Sequence, residues 1–258
     1  MEKIGLVLSG GGVRGMAHIG IIQALEENGV DIYAIAGASA GALVGTLYAA
    51  GLKPKEILAF YEEHNLFNIS YYNLGGAGIF NSEKYQEYYK EYIPENSFEA
   101  LKKKLFISTT DLEAGRSVIH STGELLLPLV ASASLPPVFS PVEIDNRLHA
   151  DGGILNNFPV EPLQENCDKI IGSYVSPIKP LGKKDLRSTT QISSRSMSLV
   201  LYEAVRQKYH LCDVVLEIEE LETINLLNQR QIKEAYEIGY RKAEREMPLI
   251  LKKLGIKV

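Results

Sequence analysis

Ser39 stands in Gly37-Ala38-Ser39-Ala40-Gly41, between an apolar run at 32–36 that reads as a buried strand and a small-residue run at 42–50 that reads as a helix. A serine with glycine two places to either side, on a strand-to-helix turn, has the sequence form of a nucleophile elbow. Such a turn presses the backbone against its neighbours, and positions 37, 38, 40 and 41 are all Gly or Ala. It also lifts the hydroxyl to a helix start, where free N–H groups and the macrodipole favour developing negative charge. A tight turn with no chemistry is the competing reading. A serine hydroxyl is a weak nucleophile until a base accepts its proton, so the enzymatic reading needs partners elsewhere in the chain.

A second signal lies upstream. The apolar run 4–8 leads through Ser9 into Gly10-Gly11-Gly12-Val13-Arg14-Gly15 and then a helix over about 16–28. A glycine run between strand and helix leaves N–H groups unobstructed and free to point at an anion. Gly10, Gly12 and Gly15 also satisfy the G-x-G-x-x-G dinucleotide fingerprint, which requires an acidic residue about twenty positions on. That stretch is Ile35-Ala36-Gly37, without a carboxylate, and it runs directly into the serine turn. An oxyanion hole beside a serine nucleophile fits better. The third signal, Asp151-Gly152-Gly153, closes a strand at 148–150; glycine after the aspartate permits a sharp turn with the carboxylate still aimed into a site.

Taken in order, these three motifs resemble the patatin-like phospholipases. Ala133-Ser134-Leu135-Pro136-Pro137-Val138-Phe139 is similar to the Ser-and-Pro block that precedes the aspartate in bacterial members, and Asn156-Asn157-Phe158-Pro159-Val160 continues the aspartate block. The resemblance covers residues 3 to about 175, and the part after about 180 matches no motif. It implies a three-layer α/β/α sandwich with lipid acyl hydrolysis by a Ser-Asp dyad and no catalytic histidine. Ser39 is then the nucleophile, Asp151 the proton acceptor, and the N–H groups of Gly10, Gly11 and Gly12 the oxyanion hole. Gly15, Gly37, Gly41, Gly152 and Gly153 support the motifs. Arg14 either brings positive charge to a phosphate or the oxyanion, or forms a salt bridge that fixes its loop.

A histidine triad is the rival arrangement. Ser39, Asp151 and His210 follow the chain order of the α/β-hydrolases, but His210 closes an amphipathic helix, where the helix dipole suits it without a catalytic role. His149 shares a strand face with Asp151 as a neighbour of the site, His18 reads as a packing residue of the first helix, and His64 and His120 carry no signal. No His/Cys/Asp cluster has metal-ligand spacing, so no metal and no cofactor are expected.

The elements that must position these residues alternate between strand and helix, which predicts a largely parallel central sheet covered on both faces. Further helices are expected over 55–64, 82–92, 124–131, 190–208 and 222–246. Strands are expected over 105–109, 117–120, 169–175 and 213–218, with a hairpin of 142–144 and 147–150 around Asp145-Asn146. No linker, low-complexity tract or repeat divides the 258 residues, and 45% hydrophobic content suffices for a sizeable core. One patatin-like unit over 1–258 is expected, with a helical C-terminal part from about 180. The segment 66–80, apolar and aromatic with Gly75, Gly76 and Gly78, reads either as a flap over the serine or as a buried connection.

Two cysteines make no disulfide framework, and the apolar run 4–8 is too short for a signal-peptide core, so a cytoplasmic location is expected. The uncharged stretch 32–52 is long enough for a membrane span, yet its serine, its glycines and its missing aromatic belt favour strand, turn and helix. A net charge of −5 argues against nucleic acid and against general attraction to anionic lipid. The expected partners are a lipid or acyl-ester substrate and, transiently, a membrane surface. The function expected is a serine lipid acyl hydrolase on phospholipids or lysophospholipids. The alternatives are an esterase, thioesterase or acyltransferase for smaller acyl groups, or a non-catalytic lipid-binding protein.

Overall fold

The computed structural model describes residues 2–64, 82–136 and 139–256. The segment 66–80, with its two readings as flap or buried connection, lies outside them, as do Pro137 and Val138. The strands are β1 (Ile4–Leu8), β2 (Ile32–Ala38), β3 (Lys104–Asp111), β4 (Arg116–His120), β5 (Val142–Ile144), β6 (Arg147–Asp151), β7 (Lys169–Tyr174) and β8 (Val214–Glu217). The helices are α1 (Ala17–Glu27), α2 (Ala40–Ala50), α3 (Pro54–Glu63), α4 (Ser82–Lys90), α5 (Leu126–Ser132), α6 (Glu161–Gln164), α7 (Thr189–Arg206) and α8 (Ile232–Leu254).

All eight strands join one sheet, and β3-β2-β1-β7-β8 are parallel neighbours. β1 and β2 are apolar nearly throughout, and the alternation of side-chain direction along a strand decides what each face receives. Leu6, Leu8 and Ile35 face a large core shared with α1, α2, α3 and α8, while Val7, Ala34 and Ala36 face a smaller one with Phe158, Val160 and Leu163. The result is the three-layer α/β/α sandwich that the resemblance implied, with unequal outer layers. Asp145 and Asn146 both have positive φ, as a two-residue hairpin turn between β5 and β6 requires.

The antiparallel margin places the site. β4 pairs with β3 over Ile107 to Asp111, which occupies one edge of β3. β2 pairs with β3 up to Ala38 opposite Ser108, and β6 pairs with it up to Asp151 opposite Thr109. Both must therefore use the other edge. They run head to head along it, and the register of β3 sets the end of β2 against the end of β6. The stretch 32–52 is resolved as strand, turn and helix, and among the described residues no helix is long and apolar enough to cross a membrane.

Two expectations need correction. The last helix begins at Ile232 rather than near 222, because the preceding segment gives its carbonyls to the glycine loop. Val13 N–H donates to the Leu226 oxygen at 2.9 Å, and Arg14 Nε to the Ile224 oxygen at 2.9 Å. The same helix runs through Pro248 to Leu254, since Met247, Ile250, Leu251 and Leu254 all bury on one side. That burial offsets the one hydrogen bond a proline removes.

The small residues around Ser39 are demanded by backbone contact. A Cβ on Gly41 would lie 2.1 Å from the Leu8 carbonyl oxygen and 2.7 Å from that of Ser9, neither of which can move aside. Gly41→Ala is expected to cost about 3 kcal/mol of stability. Chemical denaturation should show this as a lowered midpoint at unchanged slope.

Candidate active site

Ser39 sits where β2 turns into α2, with φ 51° and ψ −125°. This is a strained conformation for a residue with a Cβ, of the kind that persists only when its surroundings over-determine it. The surroundings do so. The Ser39 N–H donates to Ser132 Oγ at 2.9 Å, and the Ser39 carbonyl accepts the Leu43 N–H as α2 begins. The hydroxyl is thereby aimed off the helix N-terminus, where the macrodipole favours negative charge.

Asp151 meets it from β6. Ser39 Oγ donates to Asp151 Oδ2 at 2.7 Å, and Asp151 Oδ1 accepts the Gly153 N–H at 2.6 Å. The aspartate backbone is held as tightly, its N–H on the Ser134 carbonyl and its carbonyl on Thr110 Oγ1, both at 2.9 Å. Asp151 is only 3% exposed and has no cation among its hydrogen-bond partners. Burial therefore pushes its pKa up to about 6, against the opposing pull of the Ser39 and Gly153 hydrogen bonds. A carboxylate of this basicity is a better match for a serine proton than one in water.

The glycine loop forms the third side. Gly10 is drawn so close that a Cβ there would lie 2.9 Å from that of Ser39, but its N–H is committed to Asn157 Oδ1 at 3.0 Å. Gly10 therefore drops out of the expected oxyanion donors. Gly11 and Gly12 remain at the cavity wall. Arg14 also reaches the cavity, yet among the described residues it forms no salt bridge to fix its loop. Instead Nε and Nη2 donate to the Ile224 and Glu222 carbonyls. Burial lowers its pKa, with Glu222 working in the opposite direction.

Three supporting residues carried no functional signal in the sequence. Ser132 and Asn157 hold the amides of Ser39 and Gly10; Asn157 lies in the block that continues the aspartate motif, and Ser132 immediately before the Ser-and-Pro block. His18, expected only to pack, is a fully buried polar strut. Its Nε2 donates to the Ser9 carbonyl at 2.8 Å, which fixes the tautomer, and its Nδ1 accepts from Ser173 Oγ at 2.8 Å. Burial lowers its pKa to about 4, so it stays neutral and ties the glycine loop to β7. A polar residue inside the apolar run Ala17-His18-Ile19-Gly20-Ile21-Ile22 was the available hint.

The triad arrangement is not assembled. His210 is exposed beyond the end of α7, and no histidine is among the described residues that line the cavity. His149 and His120 both bond Thr109 Oγ1, at 2.9 and 2.8 Å, and Thr109 pairs with Asp151 across the strands. His149 is thus a neighbour of the site at one remove.

Ser39, Asp151, Gly11 and Gly12 open onto a cavity of about 470 Å³. Leu43, Leu135, Phe139, Leu201, Leu226 and Leu227 give it apolar walls, while Arg14, Lys179, Arg195 and Glu222 bring charge to it. Removing an acyl chain from water into such walls contributes about 0.8 kcal/mol per CH₂. Among the described residues no group of three or more potential ligands could hold a metal ion.

Residues 6–163 match the patatin-like phospholipase family. An uncharacterized NTE family protein of Mycobacterium tuberculosis is 38% identical over 164 residues, 62% of this chain and 45% of that protein. Lysophospholipase NTE1 of Cryptococcus neoformans is 29% identical over 284 residues, 95% of this chain and 17% of the fungal protein. The chain thus spans less than half the length of these curated relatives. VipD from Legionella pneumophila superposes with a TM-score of 0.55 at 16% identity, over 96% of this chain and 67% of VipD. Human GIVD cytosolic phospholipase A2, solved with a methyl gamma-linolenyl fluorophosphonate inhibitor, gives 0.53 at 12% identity, over 98% of this chain and 59% of the human one. At these identities the two structures speak for the fold.

Proposed function

The chain belongs to the patatin-like phospholipase family, and from that premise we propose that it is a serine lipid acyl hydrolase cleaving carboxylic ester bonds of phospholipids or lysophospholipids. One observation carries the reading: the direct 2.7 Å hydrogen bond from Ser39 Oγ to a buried Asp151 at the floor of an apolar cavity. Asp151 takes the hydroxyl proton as Oγ attacks the ester carbonyl. The N–H groups of Gly11 and Gly12, with the N-terminus of α2, stabilise the oxyanion, a contribution of about 10²–10³ in rate for one such donor. The tetrahedral intermediate collapses to an acyl-serine as Asp151 passes the proton to the departing alcohol. Water then attacks the acyl carbonyl as Asp151 takes its proton, and collapse of this second tetrahedral intermediate returns the proton to Ser39 Oγ and releases the fatty acid. The reading treats 1–258 as one patatin-like unit, supported by β7 and β8 lying in the same sheet as β1.

A long-chain alkyl fluorophosphonate tests the proposal, since it reacts only with an activated nucleophile. Labelling in excess chelator is expected to modify Ser39 alone, as mapped by mass spectrometry, and to stop hydrolysis of lysophospholipid in step. No labelling of a folded protein would leave the lipid-binding alternative standing, and activity that disappears in chelator would show that a metal is needed.

A further inference from the structure

Residues 177–200 combine a cluster of cations with an exposed apolar helix face. Five cations (Lys179, Lys183, Lys184, Arg187 and Arg195) stand there against one carboxylate, Asp185, in a chain of net charge −5. Among the described residues Lys183, Lys184 and Arg187 have no ion pair, whereas Lys179 is paired with Glu222 at 3.2 Å. From 179 to 200 every residue is exposed except Leu186 and Arg195, which are half-buried.

Helix α7 divides this run into two faces. Arg195, Ser198 and Leu201 line the cavity that holds Ser39, and Val205 is buried on the same side. The opposite face carries Ile192, Met197, Leu199 and Val200, which are 51%, 61%, 46% and 67% exposed. At about 100° per residue these four fall within about 160° of arc, which also carries Thr189, Ser193, Ser196, Ala204 and one carboxylate, Glu203, paired with Arg206 at 3.2 Å. An apolar face of this size, flanked by unpaired cations, is not what a water-facing helix needs. It has the make-up of a helix that lies in the interface of a membrane, with apolar residues in the acyl boundary and cations among the head groups.

We propose that the outer face of α7 and the basic run 179–187 dock this protein on a bilayer containing anionic phospholipid. Charge complementarity selects that occupant, because Lys183, Lys184 and Arg187 are exposed and, among the described residues, form no ion pair. The overall negative charge had argued against general attraction to anionic lipid. Within a Debye length of the surface, however, the local cations dominate over carboxylates elsewhere on the molecule. Docking through this face would hold the cavity against the lipid, since the other side of the same helix is the cavity wall. The inference adds to the hydrolase reading and is scored independently of it, by binding of protein that does not turn over.

The test is flotation of the full chain carrying Ser39→Ala with vesicles of phosphatidylcholine, alone or mixed with phosphatidylglycerol. Binding is expected on the mixed vesicles, weak on phosphatidylcholine alone, and reduced by high salt. Met197→Ser with Val200→Ser, and separately Lys183→Glu with Lys184→Glu, should each weaken it by about tenfold or more. In a background with Ser39 intact, both pairs should hydrolyse a short soluble ester at the unaltered rate, which shows that they fold. Equal binding by both variant pairs and the parent overturns the proposal, and so does a parent that binds neither vesicle. Equal affinity for neutral and anionic vesicles overturns the anionic assignment. Self-association in solution that disappears with the Met197/Val200 pair, without vesicle binding, would give the face to a second copy of the chain.

Discussion

Replacing Ser39 with alanine is expected to lower ester hydrolysis by about four orders of magnitude, and Asp151→Asn to lower it nearly as far, because the two groups act as one unit. The asparagine is the more informative change. Its amide keeps the place of the carboxylate, with Oδ1 still able to accept the Gly153 N–H, but its Nδ2 donates to Ser39 Oγ and takes no proton from it. Activity is lost without loss of structure. Stability should even rise above pH 6. The ionised, buried Asp151, with its pKa raised from 3.8 to about 6, costs on the order of 3 kcal/mol there relative to the unfolded chain. His210→Ala should leave activity unchanged, and His149→Ala should retain a substantial fraction. Steady-state rates with thermal unfolding on the same samples check all four. A folded His210→Ala protein as inactive as Ser39→Ala would replace the dyad with a triad.

The second large effect is on pH. Only ionised Asp151 accepts the serine proton, and its pKa of about 6 places the transition two units above an ordinary aspartate. kcat/KM should therefore be flat above about pH 7 and fall about tenfold per unit below about pH 6, with one proton responsible. The stability profile runs the other way. The folded state binds more protons than the unfolded one between pH 3.8 and about 6, so this group makes the fold progressively less stable as pH rises through that window. Measuring kcat/KM on a soluble ester and the denaturation midpoint across pH 4–8 separates the two. A midpoint that falls with the rate at low pH would assign the rate loss to unfolding. An acid limb near pH 4 would mean that Asp151 keeps an ordinary pKa and is more solvated in solution than its burial indicates.

Ser39, Asp151 and the glycine loop were legible in the sequence because each imposes a local requirement. The turn at Ser39 tolerates no bulk at 37, 38, 40 and 41, the loop needs bare amides between strand and helix, and the aspartate must end a strand at a glycine pair. The alternation of strand and helix likewise predicted a parallel sheet covered on both faces, and the continuous apolar runs of β1 and β2 marked them as strands buried on both sides. Such constraints operate over a few residues, so composition and spacing record them.

What the tertiary structure alone decided depends on contacts between distant residues. The register of β3 brings Ala38 and Asp151 end to end, although 113 residues separate them. Asn157 Oδ1 takes up the Gly10 N–H, and nothing near Gly10 in sequence announces it. The carbonyls of Glu222, Ile224 and Leu226 go to Arg14 and Val13, which leaves a helix-prone segment with short 3-10 turns at 219–223 and 229–231 in place of an α-helix. His18 reads as core until Ser9 and Ser173 appear at its two nitrogens. Each is a pairing of a donor with one acceptor among many that sequence leaves equivalent. Only packing in three dimensions selects the partner.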